Sequence, residues 1–133
     1  MAASEESDEL SHSAILTSLV TLNIENFNTN KLFLDRLFKQ NDIVCIQEHW
    51  LYNFEKHNLE IFSHERGFDC FLKCSDDMDP LSPLQRPRGK GGVGILWRQA
   101  LSSNIKVLPD GSDRVCAVIC ESLECGRICI INV

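Results

Sequence analysis

Apolar and polar positions divide this chain into short strand-sized runs separated by two helical stretches. Ile15 to Ile24, ILTSLVTLNI, is rich in strand formers and has no Gly or Pro, which predicts a first strand ending near Asn23. The polar cluster 25–30 offers N-cap candidates and leads into residues 31–40. There Phe33, Leu34, Leu37 and Phe38 recur at helical spacing. Ile43-Val44-Cys45-Ile46 has neither a helical nor an alternating period, so it predicts a strand buried on both faces that runs out onto Gln47, Glu48 and His49. Strand, helix and strand make a βαβ-like unit. Two strands running the same way bring Asn23 and Glu48 to one edge, where ligands are handled in open α/β sheets.

Further along, Phe54 to Arg66 predicts a weaker helix with Phe54, Ile61 and Phe62 inward, ended by Gly67. Residues 68–74 read as a strand, followed by a long loop, 75–90, that holds three of the four prolines and places Arg86, Arg88 and Lys90 within five positions. Loops of that length within a compact domain are more often functional than idle. A glycine-led strand over 91–97, a short strand over 105–108 and a hairpin with arms 114–121 and 127–133 complete the pattern. The last arm, Ile128 to Val133, has the composition of a central strand.

Composition adjusts this picture at four points. The 133 residues, 44% of them hydrophobic, suffice for one domain with a sizeable core but not for two. Residues 1–13 hold Glu5, Glu6, Asp8 and Glu9 and no Lys or Arg, so they read as a disordered acidic leader ahead of a domain spanning 14–133. Four of the six net negative charges belong to that leader, and the remaining −2 suits a partner of either sign. No apolar run approaches the roughly 18 residues of a membrane span, and no basic-then-apolar export signal opens the chain. The expected location is intracellular, nuclear or cytoplasmic, with no membrane partner. The seven cysteines look like a metal or disulfide framework until the pairs 70/74 and 116/120 are placed on strands. Residues four apart there stand roughly 13 Å from one another at about 3.3 Å per residue, too far to share a zinc ion. Buried free thiols are expected.

Taken in order, LNIENF (22–27), DIVCIQEHWL (42–51), RPRGKGGVGILWRQAL (86–101) and DRVCAVICESLECGRICIINV (113–133) resemble the N-terminal half of the endonuclease/exonuclease/phosphatase superfamily. The likeness is greatest to the endonuclease domain of non-LTR retrotransposon reverse transcriptase polyproteins. It implies an α/β (α+β) fold, the N-terminal portion of a four-layer αββα sandwich with mixed β-sheets. It also implies hydrolysis of phosphate esters, here of a DNA strand, with Mg2+ or Mn2+. By the same resemblance Asn23 is the catalytic residue that helps arrange the phosphate, Glu48 is the metal ligand, and Arg86, Arg88 and Lys90 contact DNA phosphates, with Arg98 and Arg114 extending that surface. The chemistry is coherent, because magnesium is a hard ion held by one or two carboxylates plus waters and substrate oxygens. Plainer readings stand beside these. Asn23 could be a turn-forming cap, Glu48 a solvated strand-end carboxylate and the basic loop a solubilising one. His49 is expected to be structural or solvent-facing, and Trp50 and Trp97 to be packing residues.

The resemblance further implies a Tyr just beyond Val133, an Asp-x-Asn element and a terminal Asp-His pair, and this sequence has no counterpart of them. Asp76, Asp77 and Asp79 stand in the wrong place to replace them. The chain alone is therefore expected to be inactive, with an apolar inner face and a sheet edge left open. Two alternatives remain: a phosphatase or phosphodiesterase of the same fold acting on RNA or small phosphate esters, and a non-catalytic remnant or interaction module. Purified chain is expected not to nick supercoiled plasmid in magnesium; nicking that disappears in Glu48→Ala would contradict this.

Overall fold

The computed structural model describes residues 18–77, 90–122 and 126–133. In chain order these form β1 (Leu19–Asn23), α1 (Phe27–Gln40), β2 (Ile43–Gln47), α2 (Lys56–Glu65), β3 (Phe68–Lys73), β4 (Val93–Arg98), β5 (Ile105–Leu108), β6 (Cys116–Ser122) and β7 (Gly126–Asn132). Short 3-10 turns precede α2 at Asn53–Glu55 and β5 at Gln99–Asn104. The expected leader over 1–13 lies outside the described residues, as do Arg86 and Arg88.

Two sheets face each other. The first has strand order β1-β2-β4-β3, with β1 and β2 parallel and the other pairs antiparallel, and the second is the antiparallel β5-β6-β7. The missing period in β2 now has its cause. Val44 and Ile46 enter a core with Phe27, Leu34, Phe38 and Leu59 of the helical layer, while Ile43 and Cys45 enter a second core with Ile95, Trp97, Cys116, Val118 and Ile130 between the sheets. A strand serving two cores must be apolar at every position. Helices, mixed sheet and second sheet are the N-terminal portion of the expected sandwich.

Helix α1 begins four residues earlier than its apolar stripe suggests. The Asn26 side chain accepts from the Asn28 amide at 3.0 Å, and Asn30 leaves helical geometry (φ −119°, ψ 18°), giving two helical pieces joined at a kink. The Asn30 side-chain amide donates to the carbonyls of Ile24 (2.9 Å) and Glu25 (3.0 Å), which ties the kink to the end of β1. Only the second piece has the amphipathic period, and its stripe is narrower than expected, since Leu34 and Phe38 are buried but Phe33 is 52% exposed.

Two inward assignments in the second helix are corrected. Phe54 is 64% and Ile61 53% exposed. Phe54 falls in the 3-10 turn, out of phase with the α-helix, and stacks on Tyr52. The inner side is instead Leu59, Phe62 and Ser63, with Phe62 edge-on to Phe27 at 5.3 Å and the Ser63 hydroxyl donating to the Leu59 carbonyl. Gly67, at φ +80°, stops the helix as expected. Cys45, Cys70, Cys74, Cys116, Cys120 and Cys129 are all free, and four of them are buried.

At one end a buried amide of the second sheet reaches across to the first. Asn132, 4% exposed on β7, donates from Nδ2 to the carbonyls of Ile46 and Gly94, both at 2.8 Å, and accepts from Gln47 Nε2 at 2.6 Å. Ile46 and Gly94 face each other across β2 and β4, so one side chain of the second sheet clasps the two central strands of the first. Removing it strands two carbonyls and an amide, each carrying a desolvation cost of about 1–3 kcal/mol where water cannot replace the bond. Asn132→Ala is expected to lower urea stability by roughly 2–4 kcal/mol, whereas Ile131→Ala next to it should stay within about 0.5 kcal/mol. Equal effects of the two would contradict the clasp.

Candidate metal and phosphate site

Beyond Gln47 the chain turns through two left-handed residues, Glu48 (φ 60°) and Trp50 (φ 63°), on either side of His49. Side chains with a Cβ adopt this region at a cost of about 1–3 kcal/mol each, so the surroundings must hold them there. Backbone bonds do so from both sides. The amides of Asn26 and Phe27 donate to the carbonyls of Glu48 (2.9 Å) and His49 (3.0 Å), while those of His49 and Trp50 donate to Gly92 (3.3 Å) and Gly91 (3.0 Å). The tip of β2 is thereby laced between the β1–α1 turn and the glycine lead of β4.

His49 anchors the tip from beneath. The ring is completely buried; its Nδ1 accepts from the Leu51 amide at 3.0 Å, so Nε2 carries the proton and donates to the Lys73 carbonyl at 2.9 Å. Burial pulls the imidazole below its ordinary pKa, with the Lys73 carbonyl and the carboxylates of Asp77 and Glu48 pulling less strongly the other way. Of the two options for His49, solvent-facing or structural, the second is correct. Gly92 lies directly over the ring at φ +93°, and a Cβ there would overlap it.

Above this base Glu48 faces an open pocket of about 700 Å³ that is also lined by Ser75, Lys90, Asp113 and Arg114. The loop carrying Asp113 and Arg114 is fixed by buried Lys73, whose Nζ donates to the carbonyls of Asp110 (3.1 Å) and Ser112 (3.0 Å). Asn23 ends β1 in register with Gln47, at the same sheet edge as Glu48. Its side opens on a separate shallow pocket with Glu25, Asn30 and Phe33, so the two polar residues share an edge without sharing a cavity. Arg98 is corrected more fully. It ends β4, which runs antiparallel to β2, and so lies at the opposite edge, where Nε meets Asp42 at 3.2 Å and the guanidinium donates to the carbonyls of Phe38 and Asn41. Its work is to tie α1 to the sheet.

Oxygen donors and cations lining one pocket are the groups that a hard metal ion and a phosphate would use. Glu48 and Asp113, which line the same pocket, are the carboxylates that could hold such an ion alongside waters and substrate oxygens. A second group, Cys74, Asp76 and Asp77, has ligand atoms within 4.8 Å of one another, but its oxygens are engaged. Asp76 accepts from the Asn53 backbone amide (3.1 Å) and side chain (3.2 Å), and Asp77 from the Asn53 side chain (2.6 Å) and the Cys74 amide (2.9 Å). Burial, helped by Asp77 and Asp76, pushes the Cys74 thiol up to about 12, so it is protonated at neutral pH. The cluster staples two turns together. Asp113, Gln47 and Asn132 escaped the sequence reading; the partners of Asn132 lie up to 86 positions away.

Against this geometry, the sequence profile of the Endonuclease/Exonuclease/phosphatase family matches residues 20–133. Among solved structures, the fold is similar to an AP endonuclease from Archaeoglobus fulgidus at TM-score 0.54 and 18% identity, covering 86% of this chain and 39% of that one. It is likewise similar to the AP endonuclease LMAP from Leishmania major at TM-score 0.63 and 15% identity, covering 89% and 40%. The chain thus spans about two fifths of the length of these structures. A search of curated proteins found no match. No helix among the described residues is long and apolar enough to cross a membrane.

Two outcomes follow from the His49 base. Gly92→Ala should destabilise the fold by about 2 kcal/mol or more in urea unfolding, since overpacking and a left-handed φ both oppose it; a change below about 0.5 kcal/mol would contradict the close contact. In metal-free buffer, the contribution of neutral His49 is fully present above the unfolded value near 6.5 and is lost as pH falls through the depressed folded value. Stability should therefore decline on acidification from about pH 7 to 5, with a shallower slope in His49→Gln; parallel slopes would contradict it.

Proposed function

The chain belongs to the Endonuclease/Exonuclease/phosphatase family, and from that membership we propose that its pocket is the first half of a divalent-metal phosphodiesterase centre acting on DNA. The observation that carries this is Glu48 at the end of a central strand, facing the same pocket as Lys90 and Arg114. In this reading Glu48 holds Mg2+ or Mn2+, which when bound would stabilise charge on the phosphate and its leaving oxygen. Asn23 opens on a separate pocket one strand over, so it orients the phosphate only if the bound ester bridges the edge it shares with Glu48. Lys90 and Arg114, continued by Arg86 and Arg88 in the preceding segment, neutralise the strand backbone, which gives affinity with little sequence choice.

The finer reading, a DNA endonuclease domain of a retroelement, rests on the four ordered motifs and on the basic segment 86–90 leading into the glycines of β4. The two similar structures are endonucleases by name, which favours a nucleic acid over a small ester. Hydrolysis depends on reacting groups placed together, so part of a site is not a proportionate part of the rate.

Binding to a labelled DNA duplex, followed by anisotropy over a range of salt concentrations, tests the surface. The affinity should fall steeply with salt, and Lys90→Ala with Arg114→Ala should reduce the log–log slope by about 2, equally for unrelated sequences. An unchanged slope, or no binding at low salt, would overturn the assignment to DNA.

A further inference from the structure

The carboxylate of Glu48 is held by its neighbour two residues on. Trp50 Nε1 donates to Glu48 Oε1 at 3.0 Å, across the short arc that the two left-handed residues enclose. Trp50 belongs to neither apolar core and is half-buried, whereas Trp97 lies in the inter-sheet core and gives its own N–H to Ser102. The expectation that both tryptophans serve packing thus holds for Trp97 and fails for Trp50.

On the reading of Glu48 as a metal ligand, we infer that Trp50 is a positioning residue, whose indole N–H fixes one oxygen of Glu48 and leaves the other presented to a divalent cation. A glutamate at a strand tip has three side-chain torsions to freeze, and one directed donor on a rigid two-torsion ring removes most of that freedom. The indole is also neutral. A lysine or arginine in its place would hold the carboxylate equally well but compete with the cation for its charge, whereas an uncharged donor orients without opposing it. The Trp50 backbone, bonded to Gly91, places the ring, so the glycine lead of the basic segment and the carboxylate are coupled through one residue.

With Trp97→Phe as background, Trp50 gives the only indole N–H signal of 15N-labelled protein. Glu48→Gln should shift that signal upfield as the charged acceptor is lost. Added Mn2+ should broaden it in the Trp97→Phe protein and not after Glu48→Gln. Trp50→Phe should weaken Mn2+ binding about tenfold, and Trp50→His, which keeps a ring N–H, should recover most of it. Mn2+ affinity unchanged in Trp50→Phe but lost in Glu48→Gln would overturn the positioning role and leave the ligand reading intact. Mn2+ binding indifferent to Glu48→Gln would overturn the ligand reading itself, and this inference with it. If Trp50→Phe does not fold, an indole signal unmoved by Glu48→Gln is the overturning result.

Discussion

The contact on which the site depends is the one between the His49 ring and the Cα of Gly92. It lets the lead of β4 lie flat on a buried imidazole, so that the carbonyls of Gly91 and Gly92 reach the amides of Trp50 and His49. Without that approach the two left-handed residues have nothing on the β4 side to hold them, and Glu48 loses its aim at the pocket. Gly92 is thus structural before it is chemical: glycine is required there because a ring occupies the space a side chain would need.

A second constraint comes from the opposite sheet. Asn132 ties β7 to β2 and β4 one residue behind Glu48, and it shares Gln47 with Thr21 on β1. The carboxylate therefore projects from a node at which four strands meet, and the loop with Asp113 and Arg114 is fixed from β3 through Lys73. Such a base can hold a charged group in one direction, which is what preorganised electrostatic sites require. Ile131 and Val133 at the end of β7 are exposed and offer apolar surface beside the same edge.

Much of this was legible in the sequence, and for identifiable reasons. β2 announced itself because a strand between two cores is apolar throughout, and Gly67 marked the end of α2 because only a left-handed residue stops a helix that way. The first turn of α1 was not legible, because Asn26 and Asn30 shape it through side-chain bonds to the backbone rather than through any apolar period. Phe54 and Ile61 were misplaced because a 3-10 turn shifts the phase at the start of the second helix. Arg98 looked like part of a basic surface by nearness in sequence, whereas the antiparallel run of β4 carries it to the far edge. The strand-end Glu48 could be nominated, but its holders could not. His49, Trp50 and Asn132 gain their roles only from left-handed turns and from a partner as many as 86 positions away.

The central claim, that the end of β2 is a cation site, is most directly tested by a crystal of this chain soaked in Mn2+ and measured at the manganese absorption edge. An anomalous peak within about 2.0–2.3 Å of a Glu48 carboxylate oxygen is the predicted result. A peak at Asp76 and Asp77 with none at Glu48 would contradict it.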